Sequence, residues 1–351
     1  MRLLTETVKK IQPLDRKCME AAKNRQDNLT KPAGSLGRLE ELSIQLAGIQ
    51  GVVSPQVKRK AFIVMASDHG VAAEGTSAYP QEVTFQMLAN IAAGGAAISV
   101  LSRQIGARLV AVDIGVKGDT SVLKNVEHCK VAPGTQSLLR GPAMTADEAV
   151  RAIETGITLV KAEVLKGLDI VGTGEMGIGN TTPSAAICAV MTGKSAAEVT
   201  GRGTGLDDRG LQHKVNVIEK AIALNKPDAG NALEVLSKVG GFEIGGLAGV
   251  IIGAAASRVP VMIDGFISGA AALIAAGICP LAKDYMVAAH MSVEPGHRIL
   301  LEYLGLQPLI NLNLRLGEGT GGAIGMYMAE AACRILGEMA TFAEAGVSNK
   351  E

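Results

Sequence analysis

The chain of 351 residues contains no tryptophan, and it has only five phenylalanines and four tyrosines. Because single-stranded nucleic acids are bound largely by stacking on aromatic rings, this scarcity argues against such a role. Neither sign of charge is in excess, since 34 basic and 34 acidic side chains give a formal net charge of zero. A neutral chain has no general attraction to polyanions or to anionic membranes. The composition therefore predicts no nucleic-acid partner.

Cysteine and histidine are also scarce and scattered. None of the five cysteines stands in a CxxC spacing, so we interpret them as buried thiols of a cytoplasmic protein. The five histidines form no HxH, HxxxH or HExxH pattern, and we expect no metal site. The N-terminus is charged throughout and lacks the apolar core of a signal peptide.

Two charge-free stretches of 18 residues, 176–193 and 265–282, are long enough to be checked as membrane spans. The first contains the polar sequence Asn-Thr-Thr-Pro, and the second consists mostly of alanine and glycine and includes Pro280. Neither composition is typical of a transmembrane helix, so we predict no membrane span.

What the sequence does contain is an alternation of β-branched runs and helical patterns. The clearest helical pattern is 145–166, which begins with Thr145 and Glu148 in capping-box spacing, and Ser195 with Glu198 has the same spacing. The alternation predicts a mostly parallel sheet covered by helices on both faces. Each strand candidate ends in or near a glycine, an acid or a histidine: 61–70, 107–115, 168–175, 259–265 and 284–290.

The two ends of the chain differ from this centre. Residues 1–50 have helical patterns without a strand, and one long helix is predicted from about residue 324 onward. We therefore predict a small helical domain made of residues 1–50 and 325–351, and an α/β domain made of residues 51–324.

A glycine-rich segment, GTGEMGIGNTTPSAA (172–186), follows a predicted strand and begins a helix. Backbone amides exposed by glycine, together with the helix dipole, suit a phosphate group. Residues 172–177 also match GxGxxG, but a dinucleotide site requires a helix and then a second strand that ends in an acid. The stretch 184–198 has no room for both, so the segment predicts a phosphate cradle rather than a dinucleotide site.

A second glycine-rich segment, LRLGEGTGGAIG (314–325), places Glu318 between two glycines. A ligand would approach this carboxylate without obstruction, and glycine-rich walls with little water would raise its proton affinity. Alternatively, Glu318 caps the following helix through the amides of Thr320 or Gly321. The pattern leaves both interpretations open.

Four other features have simpler interpretations. His69, in SDHG, is expected in a structural Asp–His turn. Ser35 is expected to cap the helix that follows it, and Lys214 is expected on an exposed helical face unless a phosphate lies nearby. The two acids in GRGTGLDD (201–208) lack the preceding apolar strand that a diphosphate–magnesium site requires.

Six segments together resemble the nicotinate-nucleotide–dimethylbenzimidazole phosphoribosyltransferase family, over roughly residues 28–335. The resemblance implies a mostly parallel, Rossmann-like sheet flanked by helices, a small helical domain built from both termini, and a homodimer. It also implies transfer of phosphoribose from nicotinate mononucleotide to dimethylbenzimidazole, without a cofactor, during cobalamin biosynthesis. The segments are KPAGSLGRLEELSIQLAG (31–48), DHGVAAEGTSAYPQEVT (68–84), GTGEMGIGNTTPSAA (172–186), LSKVGGFEIGGLAGVIIGAA (236–255), PVMIDGFIS (260–268) and RLGEGTGGA (315–323).

The same resemblance assigns roles to individual residues. The glutamate of the RLGEG motif, here Glu318, is implied as the general base, and Glu175 as a second catalytic carboxylate. The phosphate is expected against the 177–182 loop, with Lys214 nearby. The residues implied around the nucleotide are Gly177, Gly179, Asn180, Thr181, Gly203, Lys214, Asp264 and Ser292. Those implied around the lower base are Ser77, Tyr79, Gln86 and Leu316.

Two other functions compete with this one. The GxGxxG match motivates an NAD-dependent oxidoreductase, and a non-enzymatic module that binds a small base would use Glu318 only as a hydrogen-bond acceptor. Incubation with both substrates, followed by detection of α-ribazole phosphate by mass, separates all three.

Overall fold

The computed structural model describes residues 1–348, and its centre is a six-stranded parallel sheet. The strand order is β3-β2-β1-β4-β5-β6, so the chain reverses its direction of winding between β1 and β4. In such sheets ligands bind outside the carboxyl ends of the strands at this reversal. The strands are β1 Lys60–Ser67, β2 Ala107–Gly115, β3 Val126–His128, β4 Ile170–Met176, β5 Val261–Ile263 and β6 Met286–Ala288.

Helices occupy most of the remaining described chain. They are α1 Arg2–Val8, α2 Arg16–Asn28, α3 Arg38–Gln50, α4 Val83–Ala93, α5 Ala97–Gln104, α6 Ala146–Leu165, α7 Thr181–Thr192, α8 Ala196–Val199, α9 Asp208–Asn225, α10 Ala232–Val239, α11 Phe242–Ala256, α12 Phe266–Ile278, α13 Pro295–Leu304, α14 Thr320–Glu338 and α15 Phe342–Ala345. Two 3₁₀ helices are Gly70–Glu74 and Pro280–Tyr285.

The predicted sheet with helices on both faces is confirmed. Every residue of β1 is buried, and helices α6 and α11 pack on one side of the sheet while α4, α5 and α14 pack on the other. The α6–α11 contact is very close because of two glycines. A Cβ on Gly156 would lie 1.8 Å from the carbonyl oxygen of Gly246, and one on Gly249 would lie 1.9 Å from that of Ile153.

Local signals predicted several helix ends correctly. Both predicted capping boxes are present, Thr145 with Glu148 at the start of α6 and Ser195 with Glu198 at the start of α8. The strand β3 was not predicted from the sequence. It has three residues and pairs with β2 alone, so it carries no periodic pattern. The predicted C-terminal helix begins at Thr320, four residues earlier than expected.

The helices of the two termini meet, as expected. Ala22 of α2, Ala47 of α3 and Leu336 of α14 form a small separate apolar cluster. The N-terminal part of α14 packs on the sheet, however, and α1 packs on α6 and α11. The division into domains 1–50 plus 325–351 and 51–324 stays a prediction, and residues 349–351 lie outside the described part of the chain.

The segment KPAGSLGR is held by a buried ion pair. Lys31 Nζ lies 2.7 Å from Glu40 Oε1, and the Glu40 carboxylate also accepts hydrogen bonds from the backbone amides of Gly34 and Leu36. The predicted cap at Ser35 is wrong, because α3 follows Gly37 and has no side-chain cap.

One segment, Val83–Gln104, is long and apolar enough to cross a membrane by composition, with a mean hydropathy of 1.4. In the fold it is not one helix. Helices α4 and α5 are separated at residues 94–96, and both pack against β2. The charge-free run 176–193 contains α7, and the run 265–282 contains the buried helix α12. These apolar segments therefore belong to the helical layers of the α/β fold.

Candidate active site

A cavity of about 410 Å³ opens at the carboxyl edge of the sheet. Its walls come from the loop after β4, the segment after β6, the 203–204 turn, residues 315–318 and the region from Ser77 to Met87. Segments that are far apart in the sequence meet here because the strand order brings their carboxyl ends together.

The structure brings most of the sequence-predicted site residues to this one cavity. Those that line it are Ser77, Tyr79, Glu175, Gly177, Gly179, Asn180, Thr181, Gly203, Ser292, Leu316 and Glu318. Three predicted residues do not line it, namely Gln86, Lys214 and Asp264. The roles of all these residues remain predictions.

One end of the cavity is formed by the loop from Gly177 to Thr181. A Cβ on Gly177 would lie 2.5 Å from the carbonyl oxygen of Ser67, so the close contact between the loop and β1 requires glycine. The amide of Ile178 donates to Thr84 Oγ1 at 3.0 Å, which ties the loop to α4. Helix α7 starts at Thr181 without a side-chain cap, so its first turn suits an anion.

Lys214 lies behind this loop and is only 1% exposed, so the prediction of an exposed helical face is wrong. Its Nζ donates to Thr181 Oγ1 at 2.6 Å. Burial lowers the pKa of Lys214 to about 8, and the charge of Glu294 opposes the shift. Glu294 also accepts a hydrogen bond from the amide of Gly203 at 3.0 Å. The lysine therefore places a positive charge directly behind the loop at neutral pH.

Glu318 is 5% exposed and has a φ of +61°, in the left-handed region. Its Oε2 accepts a hydrogen bond from the amide of Ile98 at 3.2 Å, in the first turn of α5. Burial raises the pKa of Glu318 and the charge of Asp264 adds to this, whereas the amides of Ile98 and Ala97 lower it. Glu318 therefore caps a helix, but not the helix that follows it in the sequence.

Asp264 takes the capping position that the sequence had left open for Glu318. It follows β5 and accepts hydrogen bonds from the amides of Gly319 at 3.1 Å and Gly322 at 2.9 Å. Burial raises its pKa, and the charge of His290 opposes this effect. The predicted contact with ribose or nicotinate is not supported, because Asp264 lies behind the wall and holds the backbone that carries Glu318.

Glu175, near the end of β4, is the second buried carboxyl group of the cavity. The side-chain amide of Asn180 donates to its Oε2, and a Cβ on Gly317 would lie 2.3 Å from its Oε1. Burial, with a contribution from the charges of Asp264 and Glu243, raises the pKa of Glu175 to about 8. In the free protein Glu175 is therefore mostly protonated at neutral pH.

Gln86 was assigned to the lower-base pocket, but it lies in a separate groove with Gln81 and Lys117. The residues of α4 that line the cavity are Val83 and Met87, which are four residues apart and share one helical face. This i, i+4 spacing was visible in the sequence and could have identified them.

Sequence reasoning also missed polar residues of the wall. Thr204 Oγ1 lies 3.3 Å from Ser77 Oγ, and Glu294 and Arg315 also line the cavity. His290, which ends a predicted strand segment, lines the cavity with Nε2 at 3.7 Å from Asp264 Oδ1. Its position after β6 was the available signal.

His69 lies outside the cavity wall and is fully buried. Its Nε2 is 2.9 Å from Glu243 Oε1, whereas the neighbouring Asp68 accepts a hydrogen bond from the amide of Lys117. Among residues 1–348, no group of three or more His, Cys, Asp or Glu side chains is arranged to hold a metal ion.

Comparison with known proteins places this chain in a family. A sequence family described as phosphoribosyltransferase matches residues 11–347. The nicotinate-nucleotide–dimethylbenzimidazole phosphoribosyltransferase of Desulforudis audaxviator (strain MP104C) is 58% identical over 348 residues, which are 99% of each chain. The enzyme of the same name from Dehalococcoides mccartyi (strain BAV1) is 60% identical over the full length of both chains.

The fold agrees with these sequence matches. The crystal structure of CobT from Thermus thermophilus superimposes with a TM-score of 0.91 and 43% identity, and covers 95% of this chain and 100% of that one. The fold, the cavity and the full-length sequence matches lead to one conclusion: the chain belongs to the nicotinate-nucleotide–dimethylbenzimidazole phosphoribosyltransferase family.

Proposed function

We propose that this protein transfers the 5-phosphoribosyl group from nicotinate mononucleotide to 5,6-dimethylbenzimidazole or a related lower base. The products are α-ribazole 5′-phosphate and nicotinate, and the step belongs to cobalamin biosynthesis. The observation that carries the proposal is a single cavity that combines a buried carboxyl group, Glu318, with an amide-rich loop over Gly177–Thr181.

The reaction needs a base but no acid at the leaving group. The ring nitrogen of nicotinate mononucleotide is already cationic, so nicotinate leaves with a neutral ring nitrogen when the bond to C1′ breaks. The benzimidazole attacks C1′ through its bare ring nitrogen and becomes cationic as the new bond forms. Glu318 takes the proton from the N–H of the other ring nitrogen, and general-base catalysis of this kind accelerates a reaction by about 10²–10⁴-fold. Attack opposite the leaving group inverts C1′ from β to α.

Glu175 has an electrostatic role in this proposal. The pyridinium of the bound nucleotide favours the ionised carboxyl group, so binding lowers the pKa of Glu175 from about 8. The carboxylate then stabilises the positive charge that develops on the ribose in an oxocarbenium-like transition state.

The remaining wall binds and orients the two substrates. Lys214, behind the loop over Gly177–Thr181, offers a positive charge to the phosphate, and Gly203 and Ser292 lie along the nucleotide. Phosphate binding supplies free energy for positioning the reacting rings. The lower base is proposed to lie near Glu318, against Ser77, Tyr79 and Leu316 together with Val83 and Met87.

The decisive experiment is a product assay on the purified protein. Incubation with nicotinate mononucleotide and dimethylbenzimidazole should give the mass of α-ribazole phosphate and an equal amount of nicotinate. Omission of either substrate should abolish both products. If the protein instead oxidises or reduces a nicotinamide dinucleotide, or binds the base without forming product, the proposal is wrong.

We also propose that the protein is a cytoplasmic homodimer. The exposed apolar side chains of Tyr79 and Leu316, 55% and 61% accessible, lie at the cavity, where a second subunit would cover them. Sedimentation velocity at micromolar concentration should show a dimer, and a monomer alone would contradict this part of the proposal.

A further inference from the structure

Helix α5 begins without any cap from its own sequence neighbours. Its N-cap residue is Ala96, which makes no side-chain hydrogen bond and belongs to the least favourable residues at this position. The acceptor comes from 220 residues away, because Glu318 Oε2 receives the amide of Ile98. The amide of Ala97 acts on the same carboxyl group.

These amides are available only because the apolar segment Val83–Gln104 is broken. In one continuous helix the amides of residues 97 and 98 would donate to the carbonyl groups four residues earlier. Gly94 instead ends α4 with a φ of +89°, a conformation that favours glycine. The turn over 94–96 therefore frees the first amides of α5 for a partner outside the helix.

From this arrangement we infer that the first turn of α5 is the positioning element of the general base. It holds Oε2 of Glu318 by hydrogen bonding, so that Oε1 is the oxygen that takes the proton from the attacking base. The inference rests on the role of Glu318 proposed above. Asp264 fixes the backbone that follows Glu318, since it accepts hydrogen bonds from the amides of Gly319 and Gly322.

The same contact favours the ionised form of the base. Burial and the neighbouring Asp264 both favour the protonated form of Glu318, and Glu175, His290 and Arg315 share the cavity wall. Amide donors and the positive end of a helix dipole favour the carboxylate. Removal of a donor should therefore raise the pKa of Glu318 and move the acidic limb of the kcat profile to higher pH.

The substitution Ala97→Pro tests this without distorting the helix. Proline is favoured at the first helical position, and Ala96 already has the extended backbone, with ψ of 163°, that precedes proline readily. The substitution removes one N–H, and we expect the acidic limb to move up by about one pH unit. Ala97→Ser keeps the N–H and should leave the limb in place.

A second variant addresses the amide of Ile98 directly. Replacement of Ile98 by its α-hydroxy acid turns the N–H into an ester oxygen and retains the side chain. The matched control is the same replacement at Val100, whose amide donates at 3.1 Å to Ala96 within the helix. The ester at position 98 should shift the pH profile, and the ester at position 100 should only lower the melting temperature.

The outcomes separate this inference from the proposed function. If neither Ala97→Pro nor the ester at position 98 moves the acidic limb, while both variants melt like their controls, the first turn of α5 does not position the base. Glu318→Gln is measured in the same series. If that variant keeps its activity, the base role itself fails, whatever the other profiles show. Each variant is also measured in a Glu175→Gln background, which removes the other carboxyl group of the cavity, so that its titration does not mask that of Glu318.

Discussion

The two glycine-rich segments of the cavity are built in opposite ways. The loop over Gly177–Thr181 comes directly after β4 and leads into α7, so strand, loop and helix are contiguous in the sequence. The turn over Gly317–Gly319 carries a carboxyl group that depends on Asp264 after β5 and on the first turn of α5. An anion-binding loop can be encoded locally, whereas this buried carboxyl group is assembled by the whole fold.

The contrast extends to the helices that meet the cavity. The amides at the start of α14 are occupied by Asp264, and those at the start of α5 by Glu318. Helix α7 has no side-chain cap at its start. Helix N-termini therefore serve two purposes around the cavity. Those of α5 and α14 bind the protein's own carboxyl groups, and in the proposed function that of α7 binds the phosphate of the substrate.

The largest effect is expected from Glu318→Gln, in the turn over Gly317–Gly319 that the whole fold assembles. The amide keeps the size of the side chain but takes no proton, so kcat should fall by about 10²–10⁴-fold. The dissociation constant of nicotinate mononucleotide, measured by calorimetry, should stay within about threefold because the proposed phosphate site is untouched. Turnover close to that of the parent would rule out the general-base role.

The next largest effect is expected from Gly317→Ala. The new methyl group would lie 2.3 Å from Glu175 Oε1 at a φ of +85°, so Glu175 and the Glu318 turn must shift. A displacement of about 1 Å in a catalytic group can lower kcat by about 10²-fold. Gly305→Ala is the matched control, because Gly305 has a similar φ of +66° with no atom within 4 Å of the added methyl. Equal losses in both variants would point to backbone strain alone.

A substitution behind the locally encoded loop over Gly177–Thr181 should weaken substrate binding rather than slow turnover. Lys214→Ala removes the charge behind Thr181, and KM for nicotinate mononucleotide should rise roughly 10–100-fold with little change in kcat. An unchanged KM would mean that the phosphate lies elsewhere. Lys214 is buried, so melting temperatures of parent and variant must accompany the kinetics.

The smallest expected effect is a pH dependence of nucleotide binding. The pKa of Lys214 is about 8 in the free protein, so its charge is present below pH 8 and lost above it. Because phosphate favours the charged form, affinity should fall by up to about tenfold per pH unit above pH 8. The calorimetry is carried out in a Glu175→Gln background, because this substitution removes the other group with a pKa of about 8. The fall should be absent when Lys214→Ala is added.

The sequence predicted the layers, most strands and the contiguous loop, because each of these has a local periodic or capping signal. Lys214 illustrates what it could not predict. Helical periodicity identifies an apolar face, but it does not show that a lysine on α9 is covered by a loop from elsewhere. The helix that Glu318 caps could not be predicted for the same reason: Glu318 caps α5 and Asp264 caps α14, and which carboxyl group reaches which helix depends on tertiary packing.

The close glycine contact between α6 and α11 limits how relatives of this protein can diverge. Backbone touches backbone at Gly156 and Gly249, so neither helix can slide or rotate without forcing a side chain into a peptide group. An insertion of one residue in either helix would create that collision. Natural variation in chain length should therefore accumulate in the loops around the cavity, where new preferences for the acceptor base can arise on an unchanged platform.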